Sequence, residues 1–401
     1  MLRFAPSPTG DMLIGDLRVA LLNFILAKQR DEQFIVRIED RDKEQNIEGK
    51  DEEILLILEK FALPHDQRLN QSENLHIHQT LAIRLLEEQK AFICTCTPQE
   101  LAQEDPYRYS GRCNTLKSND VIKLKKDKIP FVIRIKGNDT IDSFVILGEN
   151  GIPTQNFASA CDDMLSGVDY ILCDEKHKEE IPKQKYIKNL LGYETKTHYA
   201  YIPALTHTLE DSSIKWFFEE GFLPDALLNY LLSLGNKTPK EIFTLPNALE
   251  WFDLESLSTT PVEFDLERLR LINKEHLRAM DDKKLSTLFG FADADIGKLA
   301  KVYLNEATTI NELQTKIEAI FSPKNFDAES GEEMRIIADI ITDAPLFSTF
   351  DDFEEFLIQK SGLTQEALSQ PLRYLLTNTN SGPKLSDIYI YIKSYILEVA
   401  S

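Results

Sequence analysis

The first forty residues place polar side chains where a sheet protein binds its ligands. Residues 2–5 predict a short strand, and the turn Pro6–Gly10, with the sequence PSPTG, follows it directly. Residues 34–38 predict a second, buried strand, and Glu39 comes immediately after it. In parallel sheets, ligands bind beyond the carboxyl ends of the strands. The PSPTG turn and Glu39 are therefore candidate ligand-binding residues.

Helices must connect these strands. Apolar residues recur at helical spacing between Ile14 and Gln29, and again on one face between Glu52 and Leu63. Strands that alternate with helices predict a parallel sheet with right-handed crossovers. The same alternation resumes near Pro153 and continues to about Pro203. We expect an α/β fold for this part of the chain.

The segment between these two α/β parts has a different character. Residues 91–150 hold three of the five cysteines and two strand-like runs, at 131–135 and 144–147, so they resemble an insertion. From residue 214 onward most segments predict helices, except between residues 253 and 281, where no helix is predicted. The expected architecture is thus α/β with an insertion, followed by an all-α half.

Composition limits the function classes. A chain of 401 residues suggests two to four domains, and its net charge of −21 disfavours diffuse binding to nucleic acid or to an anionic membrane. No apolar run of about 18 residues is present, which predicts no membrane span. The N-terminus does not resemble a secretory signal, and five cysteines, an odd number, suit a reducing compartment. We expect a cytoplasmic protein.

Two groups of lysines stand out against this acidic composition. Their members are Lys123, Lys125, Lys126 and Lys128, and Lys176, Lys178, Lys183, Lys185 and Lys188. We interpret each group as solvated surface lysines, with a local basic face as the alternative. His76 and His78 are predicted to lie on the surface of a helix, and Cys161 and Cys173 to pack as small apolar residues.

Four motifs, in this order and spacing, resemble bacterial glutamyl-tRNA synthetase. They are RFAPSPTG at Arg3–Gly10, RIED at Arg37–Asp40, Phe157-Ala158 followed by Asp162-Asp163, and GFLPDALLNY at Gly221–Tyr230. Leu372-Arg373 and Gly382-Pro383 resemble the last helices of that family. The resemblance covers essentially the whole chain.

The resemblance implies a Rossmann-type class I synthetase. Its catalytic domain would occupy residues 1–76 and 155–205, and an inserted acceptor-binding domain residues 77–154. A helical stem-contact region at 206–285 and a helical anticodon-binding domain at 286–401 would follow. The family reaction activates glutamate with ATP, which enters with Mg²⁺, and transfers it to tRNA. Glutamate, ATP and tRNA are therefore the ligands that the resemblance implies.

The first nucleotide-binding motif of the family is altered here. The matching positions are Thr9, Leu13, Gly15 and Asp16. Leu13 stands where the family has a histidine, and leucine has no hydrogen-bond donor to offer a phosphate. Asp16 adds a negative charge beside the expected position of a polyanion. We therefore expect weak ATP binding.

The second nucleotide-binding motif of the family looks deleted. A loop of the Lys-Met-Ser-Lys-Ser type should precede the helix that contains Lys215. The segment 204–212 reads ALTHTLEDS, and no lysine or arginine occurs between Lys196 and Lys215. Because those lysines meet the pyrophosphate of ATP, their loss predicts impaired adenylate formation.

The pocket implied for glutamate is also changed. The residues that match substrate-binding positions are Arg3, Ala5, Ser7 and Glu39, and those of the altered pocket are Gln155, Ser159 and Cys173. Gln155 replaces a tyrosine and Cys173 replaces a substrate-binding arginine. The alternative for Arg3 and Glu39 is a structural role in ion pairs. Thr379 stands where the family has an arginine, which predicts a weaker tRNA contact.

Some members of the family hold a structural zinc ion in the insertion. They bind it through a Cys-x-Cys pair with a later cysteine and a tyrosine or histidine, and the similar residues here are Cys94, Cys96, Tyr109 and Cys113. Thiolates are preferred ligands of structural zinc, whereas tyrosine is an unusual fourth ligand. The alternative is a set of reduced, partly buried thiols.

These departures leave three functions open. The first is an active glutamate–tRNA ligase, and the second is a tRNA-binding or protein-binding paralogue that has lost glutamylation. The third is a ligase for a different small substrate. Together the departures favour the second, because both nucleotide-binding motifs and the glutamate pocket have changed.

Overall fold

The computed structural model describes residues 1–97, 109, 111–115, 123–124, 126–210, 212–327 and 330–401, so Lys125 and Asp211 lie outside the described residues. The described chain forms two compact units. Unit 1 comprises residues 1–215, 231–239 and 245–264, and unit 2 comprises residues 216–230, 240–244 and 265–401. The finer division into four domains stays a prediction.

Unit 1 begins with the predicted parallel sheet. Its strands are β1 (Leu2–Phe4), β2 (Phe34–Ile38) and β3 (Gln67–Asn70), and the helices between them are α1 (Ile14–Gln29) and α2 (Lys50–Lys60). Strand β2 pairs in parallel with both β1 and β3, and Arg3 lies opposite Ile35. The carboxyl ends of β1 and β2 therefore reach the same edge, which brings the PSPTG turn close to Glu39.

Helix α1 is buried on nearly all sides. Every residue from Leu17 to Ala27 except Val19 is buried, and Val19 is half-buried. A helix buried on nearly all sides lies in the protein interior, and its buried polar residues Arg18 and Asn23 donate to backbone carbonyls of Pro203 and Leu172. This burial fixes the amino end of α1 at the edge of the sheet where β1 and β2 end.

The insertion contains an antiparallel sheet, and two of its strands match the predicted strand-like runs. After α3 (Leu75–Glu87) come β4 (Ala91–Cys94), β5 (Val132–Ile135) and β6 (Val145–Leu147), with β5 in the middle. Ile133, Ile135 and Ile146 share one apolar core with Leu85 of α3 and Phe157 of the following helix. Within unit 1, the insertion is thus packed onto α3 and the helix that carries Phe157 through one shared apolar core.

The α/β pattern then resumes. The elements are α4 (Gln155–Leu165), β7 (Tyr170–Asp174), α5 (Ile181–Leu190) and β8 (His198–Ile202). Strands β7 and β8 pair in parallel, and β7 lies beside β1. A short parallel pair, β9 (Leu205–Thr206) with β10 (Val262–Glu263), and helix α8 (Leu245–Trp251) complete unit 1, while α6 (Ile214–Glu219) and α7 (Pro224–Ser233) contribute residues to both units.

Unit 2 is helical, as predicted. Its further helices are α9 (Leu266–Ala279), α10 (Asp282–Leu288), α11 (Asp295–Val302), α12 (Ile310–Phe321), α13 (Gly331–Thr342), α14 (Phe350–Ser361), α15 (Gln365–Thr377), α16 (Leu385–Ile392) and α17 (Ile396–Val399). No helix among the described residues is long and apolar enough to cross a membrane.

Helix α9 corrects the sequence prediction, which left residues 253–281 without a helix. The Asp265 side chain accepts a hydrogen bond from the Arg268 amide at 3.0 Å and caps the helix. The apolar stripe of α9 is interrupted by Asn273, which is fully buried because it accepts from the Leu223 amide at 2.8 Å and donates to the Thr308 carbonyl at 2.6 Å. Because a polar residue stands in the buried stripe, the helical spacing of apolar residues is not apparent in the sequence of α9.

Candidate functional site

A cavity of about 580 Å³ opens at the carboxyl ends of β1, β2 and β7. The predicted site residues that line it are Arg3, Ala5, Ser7, Thr9, Leu13, Asp16, Glu39, Gln155, Ser159 and Cys173. Gly15, in the first turn of α1, is absent from this lining. The structure thus brings together residues that are up to 170 positions apart in the sequence, and we name this space the site cavity.

Arg3 lines the site cavity, but its guanidinium is already engaged. Its Nε donates to Asp163 Oδ1 at 2.7 Å and its Nη2 donates to Asp163 Oδ2 at 3.3 Å. This two-pronged contact is the geometry with which an arginine holds a carboxylate. The partner of Arg3 is therefore a buried residue of α4, and an incoming carboxylate meets a cation whose charge is largely neutralised.

Asp163 is the centre of a buried charge cluster. Arg37 Nη1 donates to Asp163 Oδ1 at 2.5 Å, and Lys188 Nζ lies 3.6 Å from Oδ2. Burial opposes ionisation of Asp163, but the charges of Arg3, Arg37 and Lys188 outweigh it and hold its pKa well below the usual range. Burial in turn lowers the pKa of Lys188. One carboxylate thus neutralises three cations in part.

Glu39 is the second carboxylate of this cluster. It is only 6% exposed, and its Oε1 accepts from Arg37 Nη2 at 3.0 Å and from Ser159 Oγ at 3.1 Å. Its Oε2 accepts from the Gln155 amide. Both oxygens are therefore occupied by donors of the chain itself, and the ammonium of a bound amino acid would have to compete with them.

His78 corrects a further sequence prediction, since it is fully buried and not a surface residue. Its Nε2 lies 2.8 Å from Asp162 Oδ1, and Asp162 also accepts from Asn74 at 2.9 Å and from Gln71 at 2.8 Å. Burial would raise the pKa of Asp162, but the hydrogen bond from His78 and the charge of Arg37 lower it. This polar cluster fastens α3 to α4 behind the site cavity.

Leu13 and Asp16 occupy the amino end of α1. Leu13 is 47% exposed, and its backbone amide donates to Asp16 Oδ2 at 3.1 Å. The amino end of a helix attracts phosphate through free amides and the helix dipole. Here a carboxylate of the same helix takes one of those amides and adds negative charge, so this end of α1 is poorly suited to an anion.

The chain between β9 and α6 is short. The strand ends at Thr206, His207 turns the backbone with a φ of 55°, and Ser213 pairs with Leu13 in an isolated bridge. His207 is exposed, and its Nδ1 lies 3.7 Å from a carboxylate oxygen of Glu263. This segment contains no lysine or arginine.

Three cysteine sulfurs come together in the insertion. The sulfurs of Cys94, Cys96 and Cys113 all lie within 4.8 Å of one another, and those of Cys96 and Cys113 are 3.6 Å apart. Two ligands of a tetrahedral zinc ion with bonds of about 2.3 Å lie about 3.8 Å apart. The cluster therefore has nearly the compactness that zinc needs.

Tyr109 completes this group. Its hydroxyl lies 3.5 Å from the Cys94 sulfur and 3.7 Å from the Cys96 sulfur, and it accepts from the Cys113 amide at 3.0 Å. Burial raises the pKa of Tyr109, so without a metal the hydroxyl keeps its proton. The three thiols and the phenol together form a donor set of the right number for a closed zinc site.

Comparison with known proteins places these features in a family. The model of class I tRNA synthetases for Glu and Gln, catalytic domain, matches residues 1–140 and 123–271. Glutamate–tRNA ligase 2 of a Sulfurovum species is 57% identical, and the alignment covers the whole of both chains. The chain belongs to the glutamate–tRNA ligase family of class I tRNA synthetases.

Other relatives and solved structures agree. Glutamate–tRNA ligase 1 of a Nitratiruptor species is 46% identical over the whole of both chains. The crystal structure of a glutamate tRNA ligase from Elizabethkingia meningosepticum in complex with its amino acid matches the fold with a TM-score of 0.81 at 22% identity, covering 99% of this chain and 97% of that one. The α/β catalytic fold with an insertion and a helical half is thereby confirmed.

Proposed function

We propose that this glutamate–tRNA ligase family member binds tRNA but has lost most or all of the family reaction, the ATP-dependent ligation of glutamate to tRNA. The observation that carries the proposal is the segment between Lys196 and Lys215, which contains no lysine or arginine. Because those family lysines meet the pyrophosphate of ATP, a segment without lysine or arginine cannot supply that contact.

The other end of the ATP position supports the same proposal. Leu13 offers no side-chain donor, and Asp16 holds one amide of α1 with its own carboxylate. ATP, which enters with Mg²⁺ in this family, is therefore expected to bind weakly. An aspartate next to the phosphates also repels them.

The pocket that the resemblance implies for glutamate supports the proposed loss of the ligation reaction independently of the ATP position. Arg3 is held by Asp163, and Cys173 supplies a thiol where the resemblance implies an arginine. Burial raises the pKa of Cys173 to about 11, so the thiol is neutral near pH 7. A substrate with two carboxylates would meet an arginine that is already neutralised and the exposed Lys176 at the cavity wall. A different small substrate is the competing explanation of this pocket.

The tRNA-binding function can be tested through exposed lysines of the insertion. Lys126 and Lys128 are exposed, and phosphate contacts by such lysines dominate binding to nucleic acid. We expect filter binding of total tRNA in the micromolar range at low salt, weakened strongly at moderate salt. Replacing both residues by glutamine should lower the affinity and reduce the salt slope by about 1 for each lysine that binds a phosphate in the original chain.

Lys28→Gln is the matched control, because Lys28 is exposed at the carboxyl end of α1 and lies outside the three regions assigned to tRNA; it should leave the affinity within about twofold. A parallel single-turnover assay with labelled glutamate should yield no glutamyl-tRNA. Charging near the ordinary rate would contradict the loss of activity. Absence of tRNA binding even at low salt would contradict the tRNA function and favour a protein partner.

The cysteine cluster is proposed to hold one structural zinc ion through Cys94, Cys96, Cys113 and Tyr109. The ion would fix the loop that carries Tyr109 and Cys113 against β4, because each thiolate bond ties a different segment to the same point. Metal analysis of the purified protein should find about one zinc per chain.

Cys94→Ser is expected to release this zinc and to lower the melting temperature. Cys161→Ser is the matched control, since Cys161 is equally buried but lies in the apolar core shared by α4 and the insertion, and its metal content should stay unchanged. Purified protein without zinc, with all three thiols free to react with a thiol reagent, would argue for reduced thiols alone. We propose a cytoplasmic location, because five cysteines, an odd number, suit a reducing compartment.

A further inference from the structure

A second cavity lies at the opposite end of α5 from the site cavity. Ile181 and Gln184, near the amino end of α5, line the site cavity, whereas Lys185 and Lys188 line the second one. It is open, has a volume of about 700 Å³ and is completed by the segment between α5 and β8. We call it the lysine cavity.

The lysine cavity carries a surplus of positive charge. Its described lining contains three lysines, Lys185, Lys188 and Lys196, and one acidic residue, Glu194. Hydroxyl and amide groups complete it, from Thr195, Thr197, Tyr193, Tyr199 and Asn189. Lys185 Nζ lies 4.2 Å from the centre of the Tyr199 ring. Burial raises the pKa of Tyr199 to about 12, so its hydroxyl keeps a proton that it can donate.

Lys188 is the unusual member of this set, and it corrects the prediction that its lysine group is solvated. It is only 3% exposed, and its Nζ has no hydrogen-bond partner among the described residues. The nearest carboxylate oxygen, Asp163 Oδ2, is 3.6 Å away and already accepts from Arg3. A buried ammonium without a hydrogen bond is costly, and such groups are normally satisfied by a ligand or an ordered water.

We propose that the lysine cavity binds a phosphate group, as free phosphate or a phosphate monoester or as part of a nucleic-acid backbone, with Lys185 and Lys196 at its rim and the screened ammonium of Lys188 just beneath its base. The three lysines and Glu194 give a net charge of two positive units, which matches a phosphate dianion better than a single carboxylate. The hydroxyls of the lining can donate to the remaining phosphate oxygens.

This site is separate from the ATP position of the family. The lysine cavity shares no lining residue with the site cavity. The proposal therefore does not depend on the loss of glutamylation, and an active ligase would leave it unchanged.

Equilibrium dialysis of the full chain with labelled inorganic phosphate at low salt tests the proposal. We expect one phosphate per chain, and Lys188→Met should weaken its binding at least tenfold. Because Lys188 contacts Asp163, that variant can fail to fold, so Lys185→Gln/Lys196→Gln, which changes only exposed side chains, is the second variant and should have a similar effect. Lys176→Gln, which replaces an exposed lysine of the site cavity, and Lys360→Gln are controls that should stay within twofold of the original affinity.

Adding total tRNA to the dialysis distinguishes the two sources of the phosphate group. Displacement of the bound phosphate, together with weaker tRNA binding by the double variant, would assign the lysine cavity to a nucleic-acid backbone. Unchanged phosphate binding would assign it to free phosphate or a monoester. No phosphate binding by the original chain would overturn the proposal. So would a result in which Lys176→Gln loses phosphate binding while the double variant keeps it.

Discussion

Pyrophosphate exchange with glutamate and ATP is expected to be about 10⁴-fold slower in this chain than in a complete glutamate–tRNA ligase. Removal of one preorganised donor to a developing charge costs about 10²–10³ in rate. This chain lacks the donor at Leu13 and the lysines between Lys196 and Lys215. Groups that act as a unit combine to less than the product of their separate losses, so we take about 10⁴, the product of two losses at the lower end.

Two substitutions that restore family residues measure how much of this loss of rate comes from the first nucleotide-binding motif. Leu13→His/Asp16→Asn returns a donor and removes the added charge at the amino end of α1, and we expect it to recover at most about 10²-fold, because the lysine loop is still missing. Glu44→Gln, which removes an exposed carboxylate that does not line the site cavity, is the matched charge control and should recover nothing. Exchange within about tenfold of an ordinary ligase in the original chain would show that other groups replace both motifs.

Asp163→Asn is expected to lower the free energy of unfolding by about 3–5 kcal/mol. The substitution keeps the size of the side chain but leaves Arg3, Arg37 and Lys188 buried without their shared counter-charge. Urea unfolding followed by circular dichroism measures the change from the midpoint and the slope. Asp169→Asn is the matched control, since Asp169 pairs with the N-terminal ammonium at 2.6 Å but is 42% exposed, and it should cost less than about 1 kcal/mol.

The decrease in the free energy of unfolding at low pH provides a second test of the same cluster. The pKa values of Asp162 and Asp163 are lower in the folded chain than the ordinary value of about 3.9, so the unfolded state binds protons first as the pH falls. Their contribution to stability is therefore complete above about pH 4 and decreases as the pH falls through the folded values. Asp163→Asn should flatten this decrease, and a variant as stable as the original at pH 7 would contradict the role of the cluster.

Local patterns were sufficient for the backbone of unit 1 and for the outline of the site. The alternation of strands and helices predicted the parallel pairing of β1 with β2, and with it the convergence of the PSPTG turn and Glu39 at one edge. The resemblance to zinc-binding members of the family likewise anticipated that three cysteines and Tyr109 meet in the insertion. Each of these depends on residues near one another in sequence or on the regular geometry of a sheet.

The charge cluster could not be predicted in the same way. Arg3 and Asp163 are 160 positions apart, and an arginine that binds a ligand looks the same in sequence as one that binds an aspartate of the core. Lys188 and His78 were expected at the surface because lysine and histidine usually lie there, yet both are buried beside α4. Their partners, Asp163 and Asp162, are adjacent in sequence and face two different clusters, which only the packing of α3 and α5 against α4 decides.

Because Arg3 and Glu39 serve both the site cavity and the buried core, their presence has an evolutionary consequence. Both line the site cavity, and both belong to the ion pairs that hold β1, β2 and α4 together. In a lineage that loses the reaction, we expect Arg3 and Glu39 to be retained, because replacing either breaks an ion pair of the core, whereas Leu13 and Cys173 take part in none of the described ion pairs. Substitutions are then expected to accumulate at cavity positions outside the ion pairs, and Arg3 and Glu39 persist as parts of the scaffold.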